Sequence, residues 1–144
     1  MANTIIKNTP PVGFLKSFVV EKSGEHKDEF QLKIKGVTPL VDAVRLFALE
    51  KCVKETSTLG RINLLKDKHA IVKEYADGLE HAFEFITLLR IHHQFEQIQG
   101  GTKPDNFINP KALSNLEKKT LKEAFNLISK VQGLILERYK PFIM

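Results

Sequence analysis

The chain has 144 residues, 42% of them hydrophobic and 27% charged, a composition that suits one ordinary globular domain. Its single cysteine, Cys52, excludes an internal disulfide framework and thiolate-rich metal sites. The net charge is +5, but acidic and basic residues alternate, which is typical of a solvated surface and not of a nucleic-acid site. No apolar run reaches the roughly 18 residues of a membrane span, and no signal-peptide pattern opens the chain. We therefore expect a cytoplasmic protein.

The first 35 residues differ in pattern from the rest. Pro10 to Gly13 is rich in turn-forming residues, and Ser23-Gly24 provides a second turn. Phe30 to Lys35 alternates apolar and polar residues, the pattern of a half-buried strand. A lone hairpin is marginal in water, so this extended or hairpin arm must pack on the helical part or on another domain.

From Gly36 onwards the pattern is helical. Thr38 is predicted to cap a first helix over residues 40–54, with Pro39 at its first position. Most sides of this helix are apolar, so Cys52 is expected in the core. Ser57 or Thr58 is predicted to cap a short second helix that ends near residue 66.

Two longer helices follow, each with a buried seam of apolar residues. The third is predicted over residues 69–99, and Gly100-Gly101 ends it. Ser114 and Glu117 have the spacing of a capping box, which opens the last helix. Spacings of three and four residues indicate bundle packing for Val72, Tyr75, Leu79, Ala82, Ile86 and Leu89, and for Leu121, Ala124, Ile128, Val131 and Ile135. The predicted fold is mainly α: a four-helix antiparallel bundle with a short N-terminal extended or hairpin arm.

Few residues suggest chemistry. The chain has no phosphate-binding loop and no nucleophile elbow. A di-metal bundle needs paired Glu-x-x-His motifs, whereas His93-x-x-Glu96 is reversed and single, so we predict no metal site and no catalytic residue. His93 continues the seam of the third helix, where it is either a hydrogen-bonded buried histidine or a ligand contact with Arg90 and Gln94 alongside.

Three basic residues admit both a structural and a ligand-binding interpretation. Arg45 interrupts an apolar helix with Asp42 three residues before it, which favours an internal ion pair. Its guanidinium could instead bind a phosphate or carboxylate through two parallel hydrogen bonds. Arg61 and Lys122 carry the same two interpretations.

Several runs of residues together resemble a known family. They are Pro10 to Phe14, Gly24 to Lys27, Leu32-Lys33, Leu88 to Gln94, Asn106 with Pro110, and Leu121 to Ile128. In this order they are similar to the nucleotidyltransferase substrate-binding domain, which follows a uridylyltransferase-like catalytic domain in bacterial proteins that commonly carry CBS and cyclic-nucleotide-binding modules.

The resemblance implies an accessory role. Residues 36–144 would be a substrate-binding bundle that helps to hold a nucleotide or a protein or small-molecule acceptor, and residues 1–35 the junction with an upstream catalytic domain in cis. The paired aspartates that bind Mg²⁺ and the NTP belong to that domain, so this chain alone is expected to bind no cofactor and to be inactive. The candidate substrate-binding residues are Lys33, Arg45, Arg61, Arg90, His93, Gln94, Asn106 and Lys122.

One departure and two alternatives accompany this assignment. The family pattern has an acidic residue where this chain has Gln31, which impairs this member if the carboxylate handles metal or nucleotide. The first alternative is a structural bundle for homodimerisation or regulatory coupling between domains, with an apolar surface on its first or last helix. The second is a helical ribonuclease of the HEPN type, which the short spacing from Arg90 to His93 disfavours.

Overall fold

The computed structural model describes residues 5, 7 and 18–143, the last three through their backbone only. Helices dominate this part of the chain, and its two strands have two residues each, so the predicted mainly α class is confirmed. The elements are α1 (Thr38–Glu50), α2 (Thr58–Leu65), α3 (Ala70–Gln99), α4 (Asn115–Ile143), β1 (Phe30–Gln31) and β2 (Phe107–Ile108).

The three longer helices lie side by side with fixed relative directions. His69, at the start of α3, places Nε2 3.2 Å from Glu50 Oε2 at the end of α1. Tyr139, near the end of α4, donates its hydroxyl hydrogen to the same carboxylate. Helix α3 therefore runs antiparallel to both neighbours, whereas α1 and α4 run in the same direction. The eight-residue α2 connects α1 to α3.

Both predicted seams form the core. Every seam residue of α3 and α4 is buried except Tyr75, which is half-buried. The capping box is confirmed, because the Glu117 N–H donates to Ser114 Oγ at 3.1 Å and the Ser114 N–H donates to Glu117 Oε2 at 2.7 Å. Ser57 caps α2 by accepting from the Gly60 N–H. Within the described residues, no helix combines the length and hydropathy needed to cross a membrane.

The strand predicted over residues 30–35 is wrong beyond Gln31. Residues 33–37 form a π-helical turn that continues directly into α1. Leu32, Gly36 and Leu40 are all buried, and their spacing of four residues is helical. Because Gly36 has no side chain, the apolar pattern does not reveal this helical spacing. The alternation of residues 30–35 therefore looks like that of a strand.

The pairing of β1 also differs from the predicted hairpin. Phe30 lies opposite Ile108, and Gln31 lies opposite Phe107, in an antiparallel pair that joins the arm to the segment between α3 and α4. The turn at Ser23-Gly24 is confirmed, with Gly24 at φ +89°, which glycine adopts readily. The predicted turn at residues 10–13 lies outside the described residues.

Thr38 is not the N-cap of the first helix. Its φ of −58° and ψ of −49° are already helical, and its N–H bonds to Lys33 O, five residues back. Pro39 has no N–H, and in a regular α-helix its ring would clash with the carbonyl four residues earlier. The wider π turn avoids that clash, so the helical region begins before the predicted boundary at residue 36.

Cys52 is exposed and not in the core, contrary to the prediction. Helix α1 ends at Glu50, and the Val53 N–H returns to the Ala48 carbonyl at 2.8 Å. This bond closes a Schellman-type reversal, which places Cys52 at φ +54°. Backbone closure, which leaves no mark in the apolar pattern, thus removes Cys52 from the helix.

Replacing Cys52 by glycine is expected to raise the free energy of unfolding by about 0.5–1 kcal/mol, because glycine adopts a positive φ without the Cβ contact. Urea unfolding followed by circular dichroism measures the change. Cys52→Ala retains the Cβ and should leave stability unchanged. Equal stabilities for the glycine and alanine variants would contradict the backbone explanation.

Candidate functional site

Polar side chains gather where the last turns of α3 meet the segment before β2. Arg90 Nε donates to Asn106 Oδ1 at 2.5 Å, and Gln94 Nε2 donates to the same oxygen at 3.2 Å and to the Asp105 carbonyl at 3.1 Å. Gln97 and Asp105 exchange two further hydrogen bonds. We call this group the polar cluster: Arg90, His93, Gln94, Gln97, Asp105 and Asn106.

Local sequence explains how the cluster forms. Residues three and four apart share a face of a helix, which brings Arg90, Gln94 and Gln97 together. Gly101, at φ +75°, then turns the chain back along that face. On the far side, the Leu32 N–H donates to the Asn106 carbonyl at 2.8 Å, so the backbone of Lys33 follows immediately beside the cluster.

Two members of the cluster retain unused hydrogen-bonding groups. His93 Nε2 is buried, has no hydrogen-bond partner in the part of the chain that the structure describes, and lies 3.8 Å from Asp105 Oδ1. The interpretation of His93 as a hydrogen-bonded core histidine is therefore wrong for this nitrogen. No described residue accepts a hydrogen bond from either Nη group of Arg90. A guanidinium with free Nη groups is suited to a phosphate or carboxylate.

Six of the eight predicted residues lie at this end of the bundle. Arg90, His93, Gln94 and Asn106 belong to the cluster, and Lys33 adjoins it. Lys122 Nζ lies 5.1 Å from the centre of the Phe18 ring, which stacks on Phe30 of β1. The end that β1 and β2 cover thus unites residues from three separate parts of the chain.

The other two predicted residues are not part of this group. Arg45 is exposed, and among the described residues it forms no ion pair with Asp42, so the predicted internal pair is wrong. Arg61 Nε donates to the Glu55 carbonyl at 2.7 Å, which ties α2 to the loop before it. This bond supports the structural interpretation of Arg61, but its Nη groups, like those of Arg90, have no described acceptor, so its ligand-binding interpretation stays a prediction.

His26 adjoins the cluster, although its residue type alone did not single it out. Its ring stacks on Phe107 with 3.5 Å between ring centres, and Nδ1 lies 2.8 Å from Glu29 Oε2. The hydrogen bond to Glu29 raises the pKa of His26. The available signal was the run Gly24 to Lys27, one of the stretches that carry the family resemblance.

Two clefts border the polar cluster. One of about 230 Å³ lies between the end of α3 and the start of α4, lined in part by His92, His93 and Glu117. The other, about 370 Å³, is lined in part by His26 and Lys103. Pockets that enclose small ligands usually measure about 300–1,000 Å³. The first cleft is smaller than this range and the second lies at its lower end, so each has room for a small group such as a phosphate or a sugar.

Gln31 has a structural role at the start of the helical region. Its Oε1 accepts a hydrogen bond from the Ile34 N–H at 2.9 Å. This position otherwise leaves a backbone donor without a partner. A carboxylate would satisfy the same donor and would also interact favourably with the helix dipole. The glutamine thus performs the capping that an acidic residue would perform here.

The Gln31→Glu substitution is expected to raise the free energy of unfolding by about 0.3–1 kcal/mol, through the added dipole interaction. Gln31→Ala should lower it by about 1 kcal/mol, because the cap is lost. Thermal unfolding at neutral pH compares the two variants. A glutamate variant less stable than the alanine variant would contradict the capping role.

A second cluster, which sequence reasoning missed, lies at the opposite end of the bundle. Glu50 receives hydrogen bonds from Arg138 and Tyr139 and lies beside His69. The His69 ring is buried against Phe47, and no described residue forms a hydrogen bond with its Nδ1. One signal existed: a glutamate at the C-terminus of a helix is unfavourable by the dipole, which suggests a cationic partner.

Electrostatics at this second cluster follow from the shared carboxylate. Burial raises the pKa of Glu50, but the hydrogen bonds from Arg138, Tyr139 and His69 outweigh it and lower the pKa to about 2. Burial, together with the bond to Glu50, raises the pKa of Tyr139 to about 12. Burial lowers the pKa of His69, and this effect outweighs the hydrogen bond to Glu50, which raises the pKa. Glu50 is thus ionised and His69 neutral at pH 7, as in a structural clamp.

Metal-binding side chains do not converge in the part of the chain that the structure describes. His, Cys, Asp and Glu residues form no group of three there that could hold an ion. The chemistry of the polar cluster is therefore hydrogen bonding and charge: a guanidinium, a histidine nitrogen and amide groups at the edge of two clefts.

The described residues thus form a mainly α domain with a cluster of polar side chains at one end. The model of one family, described as putative nucleotidyltransferase substrate binding domain, matches residues 1–139. The chain belongs to this family. No match was found among curated proteins or among solved structures.

Proposed function

We propose that this chain holds a nucleotide, or the group that accepts it, beside a nucleotidyltransferase domain in cis. Membership of the family supports the general role, and the polar cluster supports the location. The observation that carries the proposal is that Arg90 is held through Nε by Asn106 while its Nη groups have no described acceptor. An anchored arginine with free Nη groups is preorganised for an anion.

The neighbouring groups fit the same task. His93 Nε2 has no hydrogen-bond partner among the described residues, although Asp105 Oδ1 lies 3.8 Å away, and Lys33 adjoins the cluster. The adjoining clefts are small, so the remainder of the ligand would contact the catalytic domain. That domain would supply the paired carboxylates for Mg²⁺ and the NTP. We expect the full-length protein to be bacterial and cytoplasmic, with CBS and cyclic-nucleotide-binding modules further upstream.

Thermal unfolding of this chain with each of the four NTPs tests the proposal. A ligand that binds the folded state adds RT ln(1 + [L]/Kd), about 2.7 kcal/mol at a hundredfold excess over Kd. At least one NTP should raise the unfolding midpoint. Arg90→Ala also removes the bond to Asn106 and lowers the midpoint by itself, so the quantity compared is the increment caused by the nucleotide.

Lys68→Ala is the matched control, because Lys68 is exposed and precedes His69 at the opposite end of the bundle. It should retain the full increment, whereas Arg90→Ala should lose most of it. Arg45→Ala tests whether that exposed arginine contributes as the sequence predicted. Equal increments for the Arg90 and Lys68 variants would show that the nucleotide does not bind at Arg90. Full transfer activity of a longer protein lacking residues 36–144 would contradict the accessory role altogether.

A further inference from the structure

A second apolar line runs along the outer side of α3. Leu88, Ile91, Phe95 and Ile98 are 66%, 56%, 55% and 60% exposed. Residues three and four apart share a helix face, so these four side chains form one continuous line about 15 Å long. We call it the outer stripe.

The outer stripe lies opposite the buried seam of the same helix. Ile86 and Leu89 point into the core, while the stripe occupies the other side of the same turns. A helix that is apolar on opposite faces is normally covered on both. Single exposed apolar residues are common, but a contiguous line of large ones usually marks an interface.

We propose that the outer stripe pairs with the outer stripe of a second copy of this chain, antiparallel and about a two-fold axis. The spacing of the four residues is three, four, three, which is the same in both directions. A two-fold rotation therefore sets Leu88 against Ile98 of the second copy and Ile91 against Phe95. An interface that uses one patch twice must be complementary to itself in this way.

Charge favours the antiparallel arrangement over the parallel one. The flanking positions carry no Lys, Arg, Asp or Glu: Thr87 and Gln94 lie on one side, and His92 and Gln99 on the other. Glu84 continues the line towards the start of α3 and is exposed. A parallel pair would place Glu84 against Glu84, and like charges directly opposite are destabilising. The antiparallel pair separates the two glutamates.

The size of the stripe sets the strength of the pairing. Four side chains and their flanks bury less surface than the roughly 800 Å² per partner of a standard interface. We therefore expect a reversible dimer with a Kd in the micromolar range. This pairing does not rest on the proposed nucleotide-binding role, because none of the four stripe residues belongs to the polar cluster, and only Gln94 borders both.

Sedimentation equilibrium of the full chain from about 1 to about 500 µM measures the dimer. Phe95→Glu should weaken it more than tenfold. Leu64→Glu changes another exposed residue, 45% exposed on α2, and should leave the Kd unchanged. Circular dichroism checks that both variants fold. A monomer throughout this range, or equal Kd values for the two variants, would overturn the proposal.

Disulfide trapping tests the direction of the pair. In a Cys52→Gly background, chains with Ile91→Cys are mixed with chains with Phe95→Cys under mild oxidation. Antiparallel pairing gives the mixed disulfide in excess over the two symmetric ones. Symmetric Ile91→Cys disulfides in excess would show parallel pairing and overturn the proposed geometry. The NTP-induced thermal increment should be the same in Phe95→Glu as in the unmodified chain, which separates this proposal from the function proposed above.

Discussion

Replacing Gly36 by leucine is expected to lower the free energy of unfolding by about 3 kcal/mol, the upper end of the usual cost of overpacking, because the core leaves no space for a side chain there. A Cβ at Gly36 would lie 3.1 Å from Phe125 Cε1 and 3.5 Å from Ile86 Cγ2. Phe125 and Ile86 are both fully buried, so neither can move aside without disturbing the packing of α4 and α3. Urea unfolding of both proteins measures the difference.

Gly133 provides a matched control in the same fold. It is helical and exposed, and a Cβ there would meet nothing within 4 Å. Gly133→Leu should raise stability by up to about 1 kcal/mol, since leucine has the higher helix propensity. If both leucine variants were destabilised alike, the close approach at Gly36 would not be the cause.

Replacing Glu50 by alanine is expected to cost about 2–3 kcal/mol, because three partners lose their acceptor at once. Arg138 can return to water, but His69 is 2% exposed, and both of its ring nitrogens would then lack a partner. Glu137→Ala is the control, since Glu137 is exposed and directly precedes Arg138, one of the partners of Glu50. Equal stabilities for the two variants would show that the clamp contributes nothing.

The same cluster predicts how stability depends on pH. The pKa of Glu50 falls from 4.5 to about 2 on folding, so the folded state binds fewer protons. Its contribution is fully present above about pH 4.5 and is lost as the pH falls towards 2. Partial exposure of the side chain reduces this contribution to roughly 2 kcal/mol.

His69 also makes the folded state less stable as the pH falls, but it does so at higher pH than Glu50. Burial lowers its pKa from 6.5, so protonation below about pH 6.5 favours the unfolded chain. The contribution of His69 should therefore make the unfolding free energy decrease between about pH 7 and pH 5. His26, whose pKa is raised on folding, contributes in the opposite direction. His69→Phe should flatten that slope, whereas His81→Gln, at an exposed position, should not. A slope unchanged by His69→Phe would assign the pH dependence to other groups.

The sequence was sufficient to predict those features of the fold that depend on residues close to one another in the chain. The seams of α3 and α4 repeat every three or four residues, and the cap at Ser114 needs only Glu117. It was insufficient at Gly36, where a residue without a side chain is buried because of what surrounds it. It was also insufficient at Cys52, where a backbone reversal, and not hydrophobicity, ends the helix.

The polar cluster and the Glu50 cluster also differ in how far the sequence alone predicts them. Arg90, His93 and Gln94 are close together in the sequence, so one helix face was enough to group them. Their partner Asn106 was included only through the family resemblance. The Glu50 cluster combines the end of α1, the start of α3 and the end of α4, and no local pattern connects those three positions.

One contact spans almost the whole chain. The carbonyl of Ile5 accepts a hydrogen bond from Gln132 Nε2 at 2.6 Å, across 127 residues, and Ile5 is fully buried. A ribosome adding about 5–20 residues per second needs roughly 6–25 s to pass from the first of these residues to the second. Ile5 therefore emerges long before its partner exists, while α3 and α4, adjacent in the chain, can associate as soon as both are made. During synthesis Ile5 must remain without this partner until α4 emerges, so its burial depends on a segment that is made 127 residues later.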